Sequence, residues 1–191
     1  SYRRGVRTLA QDLGSLINRI KTTDGVFAVP GNHDYLEGMG SIKRMFPQHI
    51  HWLINSRFLI RRGGAVLNLI GVDDYHRGKP NLSMPCAQME VENPFLHILL
   101  SHNPDIVLAD DAHLLDGIQL VLAGHTHGGQ IRLPLWGAMA TRTKQKKHTK
   151  GLSYRGKTGF YVNSGGGYGL IGLRVLCPPE IMVLELQKEE A

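Results

Sequence analysis

The chain has 191 residues, of which 42% are hydrophobic, and we expect a single globular domain that buries a core. No apolar run approaches the ~18–20 residues that a transmembrane helix needs, so neither a membrane span nor a targeting segment is predicted. The net charge of +6 favours anionic partners, but six of the positive side chains lie within residues 142–155. Cys86 and Cys177 form neither a zinc pattern nor a disulfide framework, which indicates a reducing, cytoplasmic setting.

The predicted elements alternate between helix and strand along the chain. Residues 6–20 have apolar side chains at helical spacing and predict an amphipathic helix that covers a core on one side. Loops with short helices are expected at 36–50 and 77–94. Apolar runs predict seven strands, the second and third joined by a glycine turn: 26–29, 58–60, 65–72, 95–100, 118–122, 160–163 and 181–186.

Polar side chains follow three of these strands directly. Asn32 and His33 follow the first predicted strand, and His102 follows the strand at 95–100. His125 and His127 follow the strand at 118–122. Open α/β sheets bind their ligands at the carboxyl ends of the strands, so we expect these side chains to lie close together.

The segment Gly124-His125-Thr126-His127-Gly128 has the spacing of a metal site. Residues two apart in an extended segment point the same way, so His125 and His127 are expected to offer both imidazoles to one point. The glycines on either side let the backbone pass close to an ion or a phosphate. A His-x-His pair alone is weak support, and the two other polar loops strengthen it.

Several polar residues have a structural explanation that competes with a functional one. Asp73 and Asp74 follow a strand, where turn-forming hydrogen bonds are the favoured explanation. The choice between a structural and a functional role for His76, beside them, is left open. Asn103 precedes Pro104 and fits a helix cap. The remaining histidines have no partner motif and are expected at the surface or satisfied in the core: His49, His51, His97, His113 and His148.

Three motifs in this order resemble the calcineurin-like metallophosphoesterase signature: Gly-Asn-His-Asp at 31–34, His102, and Gly-His-Thr-His at 124–127. The resemblance implies an α-β-β-α sandwich of two mixed sheets flanked by helices. Residues 1–191 would form the C-terminal portion of one such domain. Gly-His-Thr-His-Gly-Gly-Gln-Ile and the Cys-Pro-Pro-Glu-Ile at 177–181 are similar to a bacterial branch linked to UDP-diacylglucosamine pyrophosphatase chemistry.

The resemblance also implies an activity and a set of roles. The reaction would be hydrolysis of a phosphomonoester, phosphodiester or pyrophosphate with two divalent ions, Mn, Fe or Zn. Asn32, His102 and His125 would bind one ion, and His127 the other. His33, oriented by Asp34, would protonate the leaving oxygen or stabilise the transition state.

The sequence departs from the family pattern ahead of Gly-Asn-His-Asp. The family's Asp-x-His and Gly-Asp-x-x-Asp motifs belong there, and neither precedes residue 31 here. The remaining ligands are neutral, whereas two dications need anionic ligands. We therefore expect a longer parent protein, one metal ion or none in this chain, and little catalysis by it alone. The alternative is a non-catalytic metal-binding or scaffold protein derived from the family.

The basic segment near the C-terminus allows two further hypotheses. Binding of nucleic acid is disfavoured, because neither a recognition helix nor a stacking motif accompanies the charges. Attraction of an anionic membrane or a phosphorylated lipid head group, such as a nucleotide-sugar lipid substrate, is the sharper hypothesis. The charges concerned lie around Tyr154: Arg142, Lys144, Lys146, Lys147, Lys150, Arg155 and Lys157.

Overall fold

A computed structural model describes residues 11–86, 95–139, 141, 143–145, 149–169 and 172–187. Parts of three predictions lie outside these ranges: the start of the first helix, the end of the loop at 77–94, and the basic residues Arg142, Lys146 and Lys147 with His148.

Six of the ten strands in the described ranges form one mixed sheet. Its order is β3-β4-β5-β6-β10-β9, with β4, β5, β6 and β10 parallel and the two outer strands antiparallel to their neighbours. The glycine turn between β3 and β4 confirms the predicted hairpin. The strands of this sheet are β3 Ser56–Arg62, β4 Ala65–Gly71, β5 Phe95–Ser101, β6 Leu120–Ala123, β9 Gly151–Arg155 and β10 Thr158–Val162.

Two smaller pairs of strands accompany this sheet. The pair β1 Val26–Ala28 and β2 Ile50–Trp52 is parallel, and the pair β7 Arg132–Leu133 and β8 Gly137–Ala138 is antiparallel. The helices are α1, described over 11–18, α2 Asn32–Glu37, α3 Met39–Met45 and α4 Ser83–Cys86. Three 3₁₀ turns lie at Pro104–Leu108, Ala112–Gly117 and His127–Gly129.

The mixed sheet has a different cover on each face. Leu69 and Ile98 point to one side, where Phe27 and Val29 from the β1 region pack against them. Their neighbours in sequence, including Ile70, point to the other side, where α4 and the 3₁₀ turns at Pro104–Leu108 and Ala112–Gly117 lie. Alternating side chains therefore fill two cores, one between sheets and one under helical turns. The predicted α/β fold is confirmed.

The predicted strand at 181–186 is wrong. These residues have no regular structure, and Ile181 and Val183 are 94% and 92% exposed. A strand needs a neighbour for its backbone hydrogen bonds. Among the described residues no strand lies beside this segment, so its backbone has no partner for a sheet despite the alternating apolar side chains.

The first helix also differs from its prediction. Within the described part of α1, Leu13 and Leu16 are exposed, and Gly14 is the buried residue. A β-carbon on Gly14 would stand 2.8 Å from the carbonyl oxygen of Met45, so the helix touches α3 through its smallest side chain. The apolar stripe of the described part of α1 therefore does not cover a core as predicted.

Candidate metal centre

The parallel strands bring the predicted polar loops to one edge of the sheet. His102 follows β5, and His125 follows β6, the neighbouring strand. Asn32 follows the loop after β1 and begins α2. The β1 region packs against one face of the mixed sheet. The structure therefore brings together three residues that were predicted to ligate one ion.

These three side chains converge on the Nε2 atom of His102. It lies 2.9 Å from Oδ1 of Asn32 and 3.0 Å from Nδ1 of His125. Gly31 makes this approach possible, because a β-carbon there would stand 2.8 Å from Nδ1 of His102. The glycine of Gly-Asn-His-Asp is thus required by the imidazole packed against it.

The spacing of the three atoms fits a shared cation. Two ligand atoms bonded to one zinc ion at ~2.0–2.1 Å are about 2.9–3.4 Å apart when their bond angle is between a right angle and tetrahedral. Two imidazoles and an amide oxygen also suit Zn, Mn or Fe. No group of three or more His, Cys, Asp or Glu side chains able to hold a metal occurs in the described ranges. The third ligand atom here belongs to an asparagine.

The electrostatic setting keeps the central imidazole neutral. Burial, followed by the nearby His125, His33, His127 and His76, lowers the pKa of His102 to about 3. At neutral pH its ring therefore has a free lone pair, which is the form that binds metal.

The loop that follows β6 is not extended. The prediction that His125 and His127 point the same way assumed an extended segment, and that assumption is wrong. His125 and His127 have φ values of 67° and 52°, and Thr126 between them is in the right-handed helical region. Left-handed backbone is uncommon outside glycine and concentrates at functional sites. The hydroxyl of Thr126 accepts the Gly128 N–H at 3.1 Å and so supports the turn.

His127 lies apart from the three-residue cluster. Its Nδ1 atom is buried and has no hydrogen-bond partner within the described part of the chain. Burial, together with the positive charge of Arg174, lowers the pKa of this imidazole. A buried imidazole nitrogen of this kind is suited to bind a second ion. The role of His127 as that ligand stays a prediction.

His33 and Asp34 lie at the start of α2. His33 is exposed to solvent and lies near enough to His102 to contribute to the lowered pKa of that imidazole. The Oδ2 atom of Asp34 accepts the backbone N–H of Gly31 at 2.7 Å, which closes the loop that presents Asn32. Burial raises the pKa of Asp34, although the Gly31 bond opposes the shift. Its orienting action on His33 stays a prediction.

The acidic pair after β4 builds a turn, as the sequence indicated. The Oδ2 atom of Asp74 accepts the N–H groups of His76 and Arg77 at 3.0 and 2.7 Å, and Asp73 accepts those of Asp74 and Lys79. Asp74 and His76 do have Asp-x-His spacing, but they follow Gly-Asn-His-Asp instead of preceding it. The His76 ring lies 5.2 Å from that of His125. His76 therefore borders the site.

Sequence reasoning missed the residues that hold the His127 loop in place. Arg174 donates to the carbonyl oxygen of His127 at 3.4 Å, and the thiol of Cys177 donates to the same oxygen at 3.3 Å. A β-carbon on Gly128 would stand 2.6 Å from the sulfur of Cys177. Arg174 belongs to no motif, and the likeness of residues 177–181 to a bacterial branch gave no indication that Cys177 contacts this loop. Arg174 also donates to five other carbonyl oxygens, those of Ser164, Gly165, Gly167, Cys177 and Pro178.

Comparison with known proteins identifies the family of this chain. The family model described as calcineurin-like phosphoesterase matches residues 3–129, a range that contains every candidate ligand. The chain belongs to the calcineurin-like phosphoesterase family. The family generally binds divalent metals.

Curated relatives in bacteria share the family name. The metallophosphoesterase YkoQ of Bacillus subtilis is 32% identical over 94% of this chain and 66% of its own length. A Helicobacter pylori metallophosphoesterase is 36% identical over 89% of the chain and 45% of its own length. The phosphodiesterase YaeI of Escherichia coli is 33% identical over 84% of the chain and 57% of its own length. The chain thus spans about half to two thirds of these relatives.

A solved structure supports the fold. A Staphylococcus aureus protein assigned as a 5'-nucleotidase superposes with a TM-score of 0.50 at 12% identity, covering 95% of this chain and 42% of that protein. At this identity the likeness concerns the fold alone.

Proposed function

We propose that the protein is a metal-dependent phosphoesterase whose first divalent ion is held by Asn32, His102 and His125. The observation that supports this is the approach of two ligand atoms to within 3.0 Å of the His102 Nε2 atom. Membership of the family and the phosphodiesterase name of the E. coli relative agree with it.

The chain's own residues would prepare the site before a substrate arrives. His102 stays neutral through burial, and Gly31 and Asp34 hold the loop that presents Asn32. A divalent cation there supplies positive charge to the phosphoryl oxygens and makes water a better nucleophile at neutral pH. His127 would hold a second ion through its unpaired nitrogen.

His33 would supply the proton that the leaving oxygen needs. It sits beside Asn32 on the first turn of α2 with its ring exposed, so a bound ester can reach it. Proton transfer by a placed imidazole contributes about 10²–10⁴-fold to a rate. Whether the ester is a monoester, a diester or a pyrophosphate stays open, and the nucleotide-sugar lipid remains a prediction.

The test combines metal content with turnover. We would load the purified protein with manganese, count ions by elemental analysis, and follow hydrolysis of bis(4-nitrophenyl) phosphate. In a chain of the relatives' length, the His33→Ala variant should lose about 100-fold in turnover with unchanged metal content. His49→Ala is the matched control, because His49 is an exposed histidine without a partner motif. Unchanged turnover in His33→Ala would remove His33 from the mechanism.

The same measurement addresses the alternative function. One ion without turnover, in this chain and in a chain of the relatives' length, would assign a non-catalytic metal-binding protein. Turnover only in the longer chain would mean that residues beyond this sequence complete the site. No bound ion in either chain would overturn the proposed metal centre.

A further inference from the structure

The loop after β4 reaches the candidate metal centre through one side chain, that of His76. Its ring lies 5.2 Å from the ring of His125, measured between the ring centres. It also lies near enough to His102 to contribute to the lowered pKa of that imidazole. His102 and His125 are half-buried, whereas His76 is exposed. His76 therefore stands beside two of the three candidate ligands and is open to a molecule that enters from solvent.

Two buried carboxylates hold this loop in a tight turn. Asp74 accepts the N–H of His76 through its side chain at 3.0 Å and the N–H of Gly78 through its carbonyl at 2.9 Å. Asp73 accepts the N–H of Lys79 at 2.9 Å. A β-carbon on Gly78 would stand 2.3 Å from the carboxyl carbon of Asp73, so the returning chain packs directly on this side chain. The conformation that presents His76 is thus fixed by the fold, which reduces the ordering cost when a ligand binds.

Contacts with neighbouring elements fix the loop relative to the candidate ligands. Tyr35 lies on α2, the helix that begins with Asn32, and its hydroxyl donates to the carboxylate of Asp73. The Oδ1 atom of Asn55 accepts the backbone N–H of Asp73 at 3.0 Å. Tyr75 packs against the larger buried core and anchors the loop from the inside. The loop that carries the exposed imidazole is therefore tied to the helix that supplies a ligand.

The chemistry of an imidazole at this place suits a phosphate. A histidine ring has an N–H to donate in both its neutral and its charged form. A hydrogen bond to an ionised phosphate oxygen is shorter and stronger than one between neutral groups. Two groups bound to one ion lie side by side, so a phosphoryl oxygen on an ion held by His125 would approach the ring against which His76 lies.

We propose that His76 is a substrate-binding residue that donates a hydrogen bond to a phosphoryl oxygen of the ester. The inference rests on the proposed function for the class of substrate, and on the contacts of the loop for the position of the donor. A role as a further metal ligand is not favoured. In the part of the chain that the structure describes, His76 forms no metal-holding group of three His, Cys, Asp or Glu side chains with His102 and His125.

Binding of inorganic phosphate tests this contact without relying on turnover. We would load a chain of the relatives' length with zinc and titrate it with phosphate by calorimetry. His76→Ala should weaken phosphate binding about tenfold with unchanged zinc content, because one hydrogen bond to a charged group is lost. Lys79→Ala is the matched control, since it removes an exposed positive charge from the same loop. It should change the affinity by less than about twofold.

Two further measurements locate the contact. In zinc-loaded protein, the imidazole NMR signal that is absent from His76→Ala should shift when phosphate is added to the wild type. With bis(4-nitrophenyl) phosphate as substrate, His76→Ala should raise KM and leave kcat nearly unchanged. A bond to a phosphoryl oxygen is present in the bound ester as well as in the transition state, so its loss weakens both equally.

Failure of this inference differs from failure of the proposed function. A wild type that binds zinc and phosphate but does not hydrolyse the ester would contradict the phosphoesterase, while calorimetry would still decide the role of His76. Loss of zinc from His76→Ala would make His76 a ligand, and equal losses of affinity in His76→Ala and Lys79→Ala would assign the effect to general charge. Either result would overturn the proposal, as would an unshifted His76 signal or a wild type that binds no phosphate.

Discussion

Two histidines of strand β5 make similar contacts in different places. His97 lies within the strand, with its Nδ1 atom 3.0 Å from the amide nitrogen of Asn68 across the sheet. His102 lies beyond the strand end, with its Nε2 atom 2.9 Å from the amide oxygen of Asn32. Burial is the main cause that lowers the pKa of both rings.

The chemical difference is in the atoms that face each ring. The amide nitrogen of Asn68 faces His97, so a donor satisfies one ring nitrogen, while Oδ1 of Asn68 is buried without a hydrogen-bond partner among the described residues. At His102 an amide oxygen and the nitrogen of His125 approach the same atom, so three atoms that can each offer a lone pair to a cation lie together. A buried histidine inside a strand is therefore structural here, and one just past the strand end is a candidate ligand.

The largest expected effect distinguishes these two rings. His102→Ala should abolish binding of the first metal ion and reduce turnover by at least about 100-fold, since one of its three ligands is gone. His97→Ala should leave metal content and turnover unchanged but lower the free energy of unfolding by about 1–3 kcal/mol, because Asn68 loses its partner. Elemental analysis and urea unfolding measure the two outcomes. The comparison fails if both variants lose metal equally.

A second change disturbs only the packing of the Gly31 loop against the His102 ring. In Gly31→Ala the new methyl group would stand 2.8 Å from the His102 ring, which has to move. We expect metal affinity to fall by about 10–100-fold, the range seen when support of a ligand is lost. Calorimetric titration with manganese measures it. Gly166→Ala is the control, since a β-carbon there meets nothing within 4 Å; equal affinities would show that this contact does not matter.

A third change concerns the support of His127. Arg174→Ala removes hydrogen bonds to several carbonyl oxygens and should lower the free energy of unfolding by about 2–3 kcal/mol, measured by urea unfolding. Arg62→Ala breaks an exposed ion pair with Asp24 and should cost less than about 1 kcal/mol. An Arg174→Ala variant as stable as Arg62→Ala would mean that the carbonyl contacts add little.

The smallest expected effect is a pH dependence. Burial lowers the pKa of His102 from its ordinary value of 6.5 to about 3 in the folded protein, so below about pH 6.5 the unfolded chain binds the extra proton first. Stability is therefore complete at neutral pH and falls with decreasing pH toward 3. Metal-free protein should lose about 2 kcal/mol between pH 7 and pH 5 by urea unfolding. His102→Gln should lose clearly less, and an unchanged loss would assign the dependence to other groups.

The sequence predicted the parts of the molecule that depend on local patterns. Strand ends and the glycine turn followed from apolar runs, and the cluster of Asn32, His102 and His125 followed from placing polar residues after strands. Asn103 was expected to cap a helix, and its side chain accepts the N–H of Asp105 at the following 3₁₀ turn. Each of these features is decided by a few neighbouring residues.

Features that depend on distant contacts escaped prediction. Spacing alone could not show that His125 and His127 leave the extended region, because contacts with Cys177 and Arg174 hold that loop. The predicted strand at 181–186 is wrong for the same reason. Alternating apolar residues create an apolar face, but they do not provide a neighbouring strand for the backbone hydrogen bonds. The roles of His33, Asp34 and His127 remain predictions.

The most direct test of the metal centre is anomalous diffraction at the zinc edge from crystals of zinc-loaded protein. A peak bonded to Oδ1 of Asn32, Nε2 of His102 and Nδ1 of His125 is the result that we predict. A protein that binds zinc elsewhere, with these three atoms still in mutual contact and without a peak between them, would contradict the assignment.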